Sequence, residues 1–323
     1  MLAPILITVY DRKAHLEKSI EALKKNPLAK ESVLYIASDA AYSKKDEKKV
    51  KEIREFIDNI NGFKEIILFK SNENKGSYES TKLAIEKILE KHDKIIFLED
   101  DIIVSKYFLE FMNNSLNLYE ENNKIFAICS YVPPDFSLPK LKTEVYLWNY
   151  YCPWGMATWK KKWKELDLNL EKYMEFFKNK RQVIKFFQGA NHALPILIDD
   201  RNGLIKAMDS RIDWNIFQKG LYCVFPIKTL SKNIGVDGSG EHSGKNKIYE
   251  EQILEDFNPN LIKNISFDDY VYKERKKYHK FKFLERGYVY FKIFNLHHIL
   301  DKLYITNLMK KLRFILKFLK KKL

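Results

Sequence analysis

The chain of 323 residues is long enough for one large or two modest domains, and 46% hydrophobic with 14% aromatic residues exclude a disordered protein. Its three cysteines are odd in number and lack CxxC spacing, which argues against a disulfide scaffold or zinc knuckle and fits a reducing compartment. We expect no signal peptide and no transmembrane helix, because the first residues lack a basic segment and no apolar run reaches ~18 residues.

The net charge of +14 lies almost entirely at the C-terminal end. Residues 1–272 carry 41 basic and 40 acidic side chains, whereas residues 273–323 carry 16 basic and 3 acidic ones. A nucleic-acid enzyme more often carries positive charge along a groove in its body, so we expect no nucleic-acid partner. The distribution indicates a tail that docks on an acidic surface.

The first 130 residues alternate between short apolar runs and segments with helical spacing of their apolar residues. The predicted strands cover residues 4–9, 32–38, 63–69, 95–98 and 124–130. The predicted helices cover residues 13–25, 46–60, 76–91 and 106–119. Strands that alternate with helices of this length predict βαβ units, so we expect a Rossmann-like α/β fold with a mostly parallel sheet flanked by helices.

Three acidic residues, Glu99, Asp100 and Asp101, directly follow the apolar strand at residues 95–98. Carboxylates at this end of a buried strand stand where open α/β sheets bind ligands. Such carboxylates suit a divalent cation that carries a diphosphate, which is how enzymes handle nucleotide-activated groups. The other interpretation is a solvated acidic turn, which three residues alone do not exclude.

The last residues, 305–323, place Ile, Leu and Met at helical spacing with Lys and Arg at most other positions. A basic amphipathic helix of this kind lies well in an anionic membrane interface. We therefore expect a cytoplasmic protein held peripherally on the inner face of the cell membrane. The alternative is a tail helix packed on its own domain, with a solvated cationic face.

Seven short segments between residues 4 and 245 carry recognisable motifs. They are residues 5–12 (ILITVYDR), 35–39 (YIASD), 74–76 (NKG), 98–101 (LEDD), 153–159 (PWGMATW), 213–214 (DW) and 233–242 (NIGVDGSGEH). In this order they resemble GT-A glycosyltransferases, chiefly the N-acetylglucosaminyltransferase I type and the bacterial haemolysin-like sugar transferases. The resemblance implies a GT-A fold with a nucleotide-sugar-binding half (residues 1–130), an acceptor-binding and catalytic half (residues 131–265) and a separate basic helical tail (residues 266–323).

The resemblance implies a UDP-sugar donor and assigns it four residues from the first half. Arg12 and Asp39 would hold the uracil-ribose end, and Asn74 with Gly76 would direct the N-terminal amides of a helix toward the donor. Each has a plainer alternative: a surface ion pair for Arg12 and helix capping for the other three.

Further donor contacts are implied for the acidic triplet and the aromatic segment. Asp100 would bond to the ribose and Glu99 would contact the donor sugar. Trp154, Gly155 and Trp159 would shape the sugar and acceptor pocket, since aromatic faces stack on the apolar faces of sugar rings. Core packing is the alternative for these residues.

The resemblance also implies a metal ion, held by Asp101 and by His242 in the glycine-rich loop. An all-oxygen site that includes phosphate suits Mn²⁺ or Mg²⁺, which would act as a Lewis acid on the departing UDP. A histidine in a polar loop is otherwise an ordinary surface residue.

Asp213 is the implied general base, which would take the proton of the acceptor hydroxyl in a single inverting displacement. Trp214 would shield it from water. Arg211 could instead hold it in a surface salt-bridge cluster. Rival carboxylates lie close by in the sequence: Asp199, Asp200 and Asp209.

The favoured function is a metal-dependent glycosyltransferase, of the hexosyl- or N-acetylhexosaminyltransferase type, acting on a lipid-linked or cell-surface glycan such as lipooligosaccharide. One alternative is a nucleotidyltransferase acting on a sugar phosphate, although the segment after the first strand has no glycine-rich phosphate loop. The other is a non-catalytic membrane-associated protein that keeps the fold without the chemistry.

Overall fold

The computed structural model describes residues 1–168, 170–189, 193–238, 247–281, 283–294 and 296. The predicted amphipathic helix of the tail and the predicted ligand His242 lie outside these residues. No helix in the described ranges is both long enough and apolar enough to cross a membrane.

Strands and helices alternate through the first 130 residues, and helices predominate after residue 159. The strands in the described residues are β1 (Ile5–Val9), β2 (Val33–Ser38), β3 (Glu65–Lys70), β4 (Lys94–Glu99), β5 (Ile102–Val104), β6 (Ile125–Cys129), β7 (Val145–Trp148), β8 (Met156–Trp159), β9 (Tyr222–Pro226) and β10 (Ser231–Asn233). The helices are α1 (Lys13–Lys24), α2 (Glu47–Ile57), α3 (Gly76–Lys91), α4 (Phe108–Leu118), α5 (Lys160–Lys164), α6 (Leu170–Lys178), α7 (Lys180–Gly189), α8 (Ala193–Arg201), α9 (Met208–Lys219), α10 (Lys247–Glu250), α11 (Asp269–Tyr278) and α12 (Phe283–Ile293).

Eight strands form one sheet in the order β3-β2-β1-β4-β8-β6-β9-β7. The pairs β3-β2, β2-β1, β1-β4 and β6-β9 are parallel, whereas β8 and β7 run antiparallel to their neighbours. The predicted α/β fold with a mostly parallel sheet is confirmed. Strands from before and after residue 130 contribute to this one sheet.

The strand order reverses between β1 and β4. The chain leaves β1 toward β2 and β3 on one side, and it returns to the other side of β1 as β4. Thr8 pairs with Glu99, so the carboxyl ends of β1 and β4 are level. Open α/β sheets bind ligands in the crevice at such a reversal. The topology therefore brings the segments that follow β1 and β4, including Arg12 and Asp101, to one crevice.

The sheet is buried on both faces, as alternate side chains of β1 illustrate. Ile5 and Ile7 pack with α1, α2 and α4, whereas Leu6 packs on the opposite face with α3. A third apolar cluster is helical and joins α6, α7, α8 and α12 around Trp214 of α9. Because Ile212 of α9 belongs to the sheet's second core, α9 lies between the sheet and the helical cluster.

Gly155, in the turn before β8, offers a test of packing beside the crevice. Its φ is +93°, and a Cβ on it would overlap Ser130 Oγ and lie 3.1 Å from Phe108. We expect Gly155→Ala to lower the free energy of unfolding by about 3 kcal/mol, from backbone strain and crowding together. Urea unfolding measures this loss.

Gly203→Ala is the matched control, because Gly203 has a φ of +72° but nothing within 4 Å of a Cβ. It should lose only about 1 kcal/mol, the strain contribution alone. Equal losses in the two variants would show that the packing against Ser130 is not constraining.

Candidate functional site

A cluster of opposite charges occupies the crevice between β1 and β4. Nη1 of Arg12 lies 2.8 Å from Asp101 Oδ2, and its Nη2 donates to Asp100 Oδ1. Both aspartates are buried, with 3% and 5% of their surface exposed. Burial raises the pKa of Asp100 to about 7, although Arg12 opposes this rise. The guanidinium predicted to contact uracil is thus the counter-charge of the acidic pair in this structure.

The first part of the glycine-rich loop packs over this charge cluster. Ile234 N donates to the backbone oxygen of Asp101 at 2.9 Å, and a Cβ on Gly235 would overlap Asp101 Oδ2. His15 of α1 lies 3.2 Å from Asp237, measured between Nε2 and Oδ2. A residue without a side chain is therefore required where the loop comes closest to the acidic pair.

Asp39 follows β2 and caps the helix α3. Its Oδ2 accepts from Gly76 N at 2.9 Å, and both of its oxygens accept from Lys75 N at 3.1 Å. Asn74 Nδ2 donates to Ala40 O at 2.7 Å and ties the two loops together. The capping alternative is what the structure contains, whereas the uracil contact of Asp39 and the donor contacts of Asn74 and Gly76 stay predictions.

A carboxyl group of α9 lies within electrostatic reach of one at the end of β4. Burial, followed by the charges of Asp101 and Asp209, raises the pKa of half-buried Glu99 well above its usual value. Asp209 is exposed to solvent, yet the surrounding protein raises its pKa to about 6. Asp209 thus lies at the solvent-facing start of α9.

Asp213, the predicted general base, lies deeper than Asp209. Only 3% of its surface is exposed, its Oδ1 accepts from Tyr151 N at 2.7 Å, and burial raises its pKa well above the usual value. Its role as base stays a prediction. The solvent-facing Asp209 was named in the sequence only as a rival, although its spacing of four residues from Asp213 places both on one helix face.

The other two rivals are engaged in ion pairs. Asp200 accepts from Arg211 at 2.6 and 2.9 Å, so Arg211 partners Asp200 and not the predicted base. Asp199 accepts from Lys292 of α12 at 2.8 Å. These pairs hold α8 against α9 and α12, which is a structural role.

The two tryptophans predicted to shape the pocket, Trp154 and Trp159, have different environments. Trp154 is half-buried, with its ring 4.6 Å from that of Tyr131 and 5.9 Å from that of Tyr249. Trp159 is instead 3% exposed and donates through Nε1 to Leu116 O at 3.0 Å. The pocket role predicted for Trp159 is therefore wrong, because β8 turns it into the core. Trp163, four residues further on, is also a core residue, at 5% exposed.

One carboxylate oxygen of the acidic pair has no hydrogen-bond partner among the described residues. Asp101 Oδ1 is buried and has no hydrogen-bond partner in the described part of the chain. A buried carboxylate oxygen without a partner fits a hard divalent cation. No group of three His, Cys, Asp or Glu residues among the described ranges could hold a metal by itself. Asp101 would therefore supply one ligand, and bound phosphate would supply others.

No protein-family model matches the chain, and no curated protein matches it. One similar solved structure is TarS of S. aureus, which is 8% identical over 65% of this chain and 44% of that chain, with a TM-score of 0.37. A second is the mannosyltransferase PcManGT from Pyrobaculum calidifontis with GDP-Man and Mn²⁺, which is 10% identical over 49% of this chain and 44% of that chain, with a TM-score of 0.34. A third is GalNAc-T7 with UDP, GalNAc and Mn²⁺, which is 15% identical over 70% of this chain and 42% of that chain, with a TM-score of 0.43.

All three are glycosyltransferases, the class that the sequence motifs resemble. The chain spans less than half the length of each of these proteins. Because every TM-score is below 0.5, the likeness carries no argument about function, which has to come from the site itself.

Arg12→Met tests the charge balance of the crevice. Without the guanidinium, two adjacent buried carboxylates lose their counter-charge, so we expect the free energy of unfolding to fall by on the order of 3 kcal/mol. Adding Asp100→Asn should restore part of this loss, because it removes one of the two charges. Chemical denaturation of the single and double variants forms the thermodynamic cycle.

Lys49→Met is the control, because it breaks the exposed pair between Lys49 and Asp11, whose N–O distance is 2.9 Å. It should cost much less than Arg12→Met, because a solvent-exposed ion pair contributes little to stability. A loss for Arg12→Met as small as the control's would contradict a structural role for the ion pair.

Proposed function

We propose that the protein is a metal-dependent glycosyltransferase that moves a sugar from a UDP-sugar to a hydroxyl group of a lipid-linked or cell-surface glycan. The observation that carries this proposal is the acidic pair at the reversal of strand order, with one buried Asp101 oxygen free of any partner in the described residues. Buried carboxylates at a ligand-binding crevice are favourable when a cation and a diphosphate complete the charge balance.

The donor would lie along the carboxyl ends of β1, β2 and β4. Asp101 would hold the divalent cation, Mn²⁺ or Mg²⁺, which when bound supplies positive charge to the departing diphosphate. Arg12, at 2.8 Å from Asp101, would orient the same group or the ribose beside it. The start of α3, where Asp39 already takes the amides of Lys75 and Gly76, would present its remaining first-turn amides toward the nucleotide.

The acceptor would enter from the side of α9 and the aromatic residues. The half-buried rings of Trp154 and Tyr249 offer apolar faces on which a pyranose can stack. Glu99, which directly precedes the acidic pair and is within electrostatic reach of Asp209 on α9, would contact the transferred sugar. A carboxylate of α9 would take the acceptor's proton, and attack opposite to the leaving UDP would invert the anomeric carbon.

Donor binding is the most direct test of this proposal. UDP with Mn²⁺ should raise the apparent stability of the protein by about 2.7 kcal/mol at a hundred times its dissociation constant. Asp101→Asn should abolish most of this rise, as EDTA should in the wild type. Differential scanning fluorimetry measures the shift, and slow UDP release from a panel of UDP-sugars measures turnover without an acceptor.

Asp58→Asn is a suitable control, because Asp58 forms an ion pair with Lys70 and belongs to no candidate site. Turnover that survives both EDTA and Asp101→Asn would contradict a metal at this site. Release of pyrophosphate instead of UDP would indicate the nucleotidyltransferase.

We further propose that the basic tail holds the enzyme on the cytoplasmic face of the membrane, beside its acceptor. The support is the amphipathic pattern of residues 305–323 together with their charge. Helix α12, which precedes this amphipathic segment, packs on α7 and α8: Lys180 Nζ donates to Ile293 O at 2.6 Å. The segment at residues 305–323 would thus follow a helix that belongs to the cluster behind α9.

A charge-matched pair of variants tests the membrane contact. The tail variant replaces four lysines by Gln: Lys317, Lys320, Lys321 and Lys322. The control variant replaces four exposed lysines outside the tail by Gln: Lys44, Lys45, Lys48 and Lys51. Each lysine near an anionic surface contributes about 1 kcal/mol, so only the tail variant should lose tenfold or more in sedimentation with phosphatidylserine vesicles. Equal losses in both variants would contradict docking through the tail.

A further inference from the structure

Asp209 is a solvent-facing carboxylate at the start of helix α9. It lies in the first turn of α9, its side chain is exposed, and it has no hydrogen bond or ion pair within the described chain. Arg211, two residues further along α9, donates to the Tyr78 hydroxyl in the first turn of α3 at 3.2 Å. The start of α9 therefore lies beside the start of α3, where the proposed donor would bind, and within electrostatic reach of Glu99.

Asp213 lies one helical turn further along the same face of α9, but unlike Asp209 it is buried and hydrogen-bonded. Its Oδ1 accepts from Tyr151 N at 2.7 Å, and it is almost completely buried. One of its two carboxylate oxygens is therefore occupied by the backbone, and little of the side chain is open to an acceptor hydroxyl. The hydrogen bond instead fixes the segment that carries Tyr150 and leads to Trp154.

We propose that Asp209 is the general base of the transfer reaction, and that Asp213 is a positioning residue that holds the backbone at Tyr151. This inference rests on the proposed glycosyltransferase function and deepens it. It divides the two carboxylates of α9 into one that meets the acceptor and one that shapes the pocket wall.

The step is a single displacement. The acceptor oxygen forms a bond to the anomeric carbon, while the bond from that carbon to the phosphate oxygen breaks and its electron pair leaves with UDP. The acceptor's proton passes to the carboxylate of Asp209 and from there to solvent. When water replaces the acceptor, the same step yields free sugar, UDP and a proton.

The environment of Asp209 suits this role. General bases work best when their pKa is close to the working pH, and the protein around Asp209 raises its pKa to about 6. The titratable groups within electrostatic reach of Asp209 include Glu99, Asp213, Tyr150 and Tyr151, and its charge contributes to the raised pKa of each. At neutral pH Asp209 is therefore mostly ionised while still able to accept a proton.

Asn and Ala substitutions at both positions form the test. An Asn at 209 cannot take a proton, so Asp209→Asn and Asp209→Ala should both slow UDP release at saturating UDP-sugar by 10²-fold or more. An Asn at 213 keeps an oxygen that can accept from Tyr151 N, whereas Ala does not. Asp213→Asn should therefore be at least tenfold faster than Asp213→Ala.

Two further measurements separate the possible failures. UDP affinity with Mn²⁺ should change by less than threefold in the Asp209 variants, since Asp209 is proposed to contact the acceptor and not the nucleotide. If the wild type releases UDP and Asp209→Asn does so at the same rate, the assignment of Asp209 is wrong. Equal losses of this rate in Asp213→Asn and Asp213→Ala would overturn the positioning role of Asp213. Wild-type protein that releases UDP from no UDP-sugar would instead overturn the proposed function.

Discussion

The contact between Arg12 and two consecutive aspartates is the constraint on which the crevice depends. Asp100 and Asp101 are buried at the end of β4, and adjacent buried carboxylates are unfavourable without a cation. Arg12 supplies that charge from the end of β1, so the ion pair also joins the two strands between which the strand order reverses. An incoming diphosphate would meet a site whose charges are already arranged, with one Asp101 oxygen still free of a partner among the described residues.

Helix α9 completes the cleft from the second half of the chain. It lies between the sheet and the cluster formed by α6, α7, α8 and α12, so the helix is packed on both sides. Asp213 on this helix fixes the backbone at Tyr151, and Asp209 lies one turn earlier, within electrostatic reach of Glu99. Donor and acceptor would therefore meet between two rigid elements that come from distant parts of the sequence.

Local patterns predicted the first half of the fold well. The bounds of α3 were predicted to the residue, and the strands before and after it within two residues, because amphipathic spacing and glycine punctuation are local signals. The direction of β8, which buries Trp159, depends on pairing with β4 and β6, and no local pattern encodes it. The same holds for Asp213, whose burial results from a hydrogen bond to a residue 62 positions away.

The central claim is that Asp101 holds a divalent cation together with the diphosphate of a nucleotide-sugar. Anomalous diffraction at the manganese edge, from crystals grown with UDP and Mn²⁺, tests it most directly. We predict one anomalous peak within bonding distance of Asp101 Oδ1, with the UDP phosphates beside it in the crevice between β1 and β4. A nucleotide bound elsewhere, or a crevice in which Arg12 keeps both aspartates and no metal enters, would contradict the account.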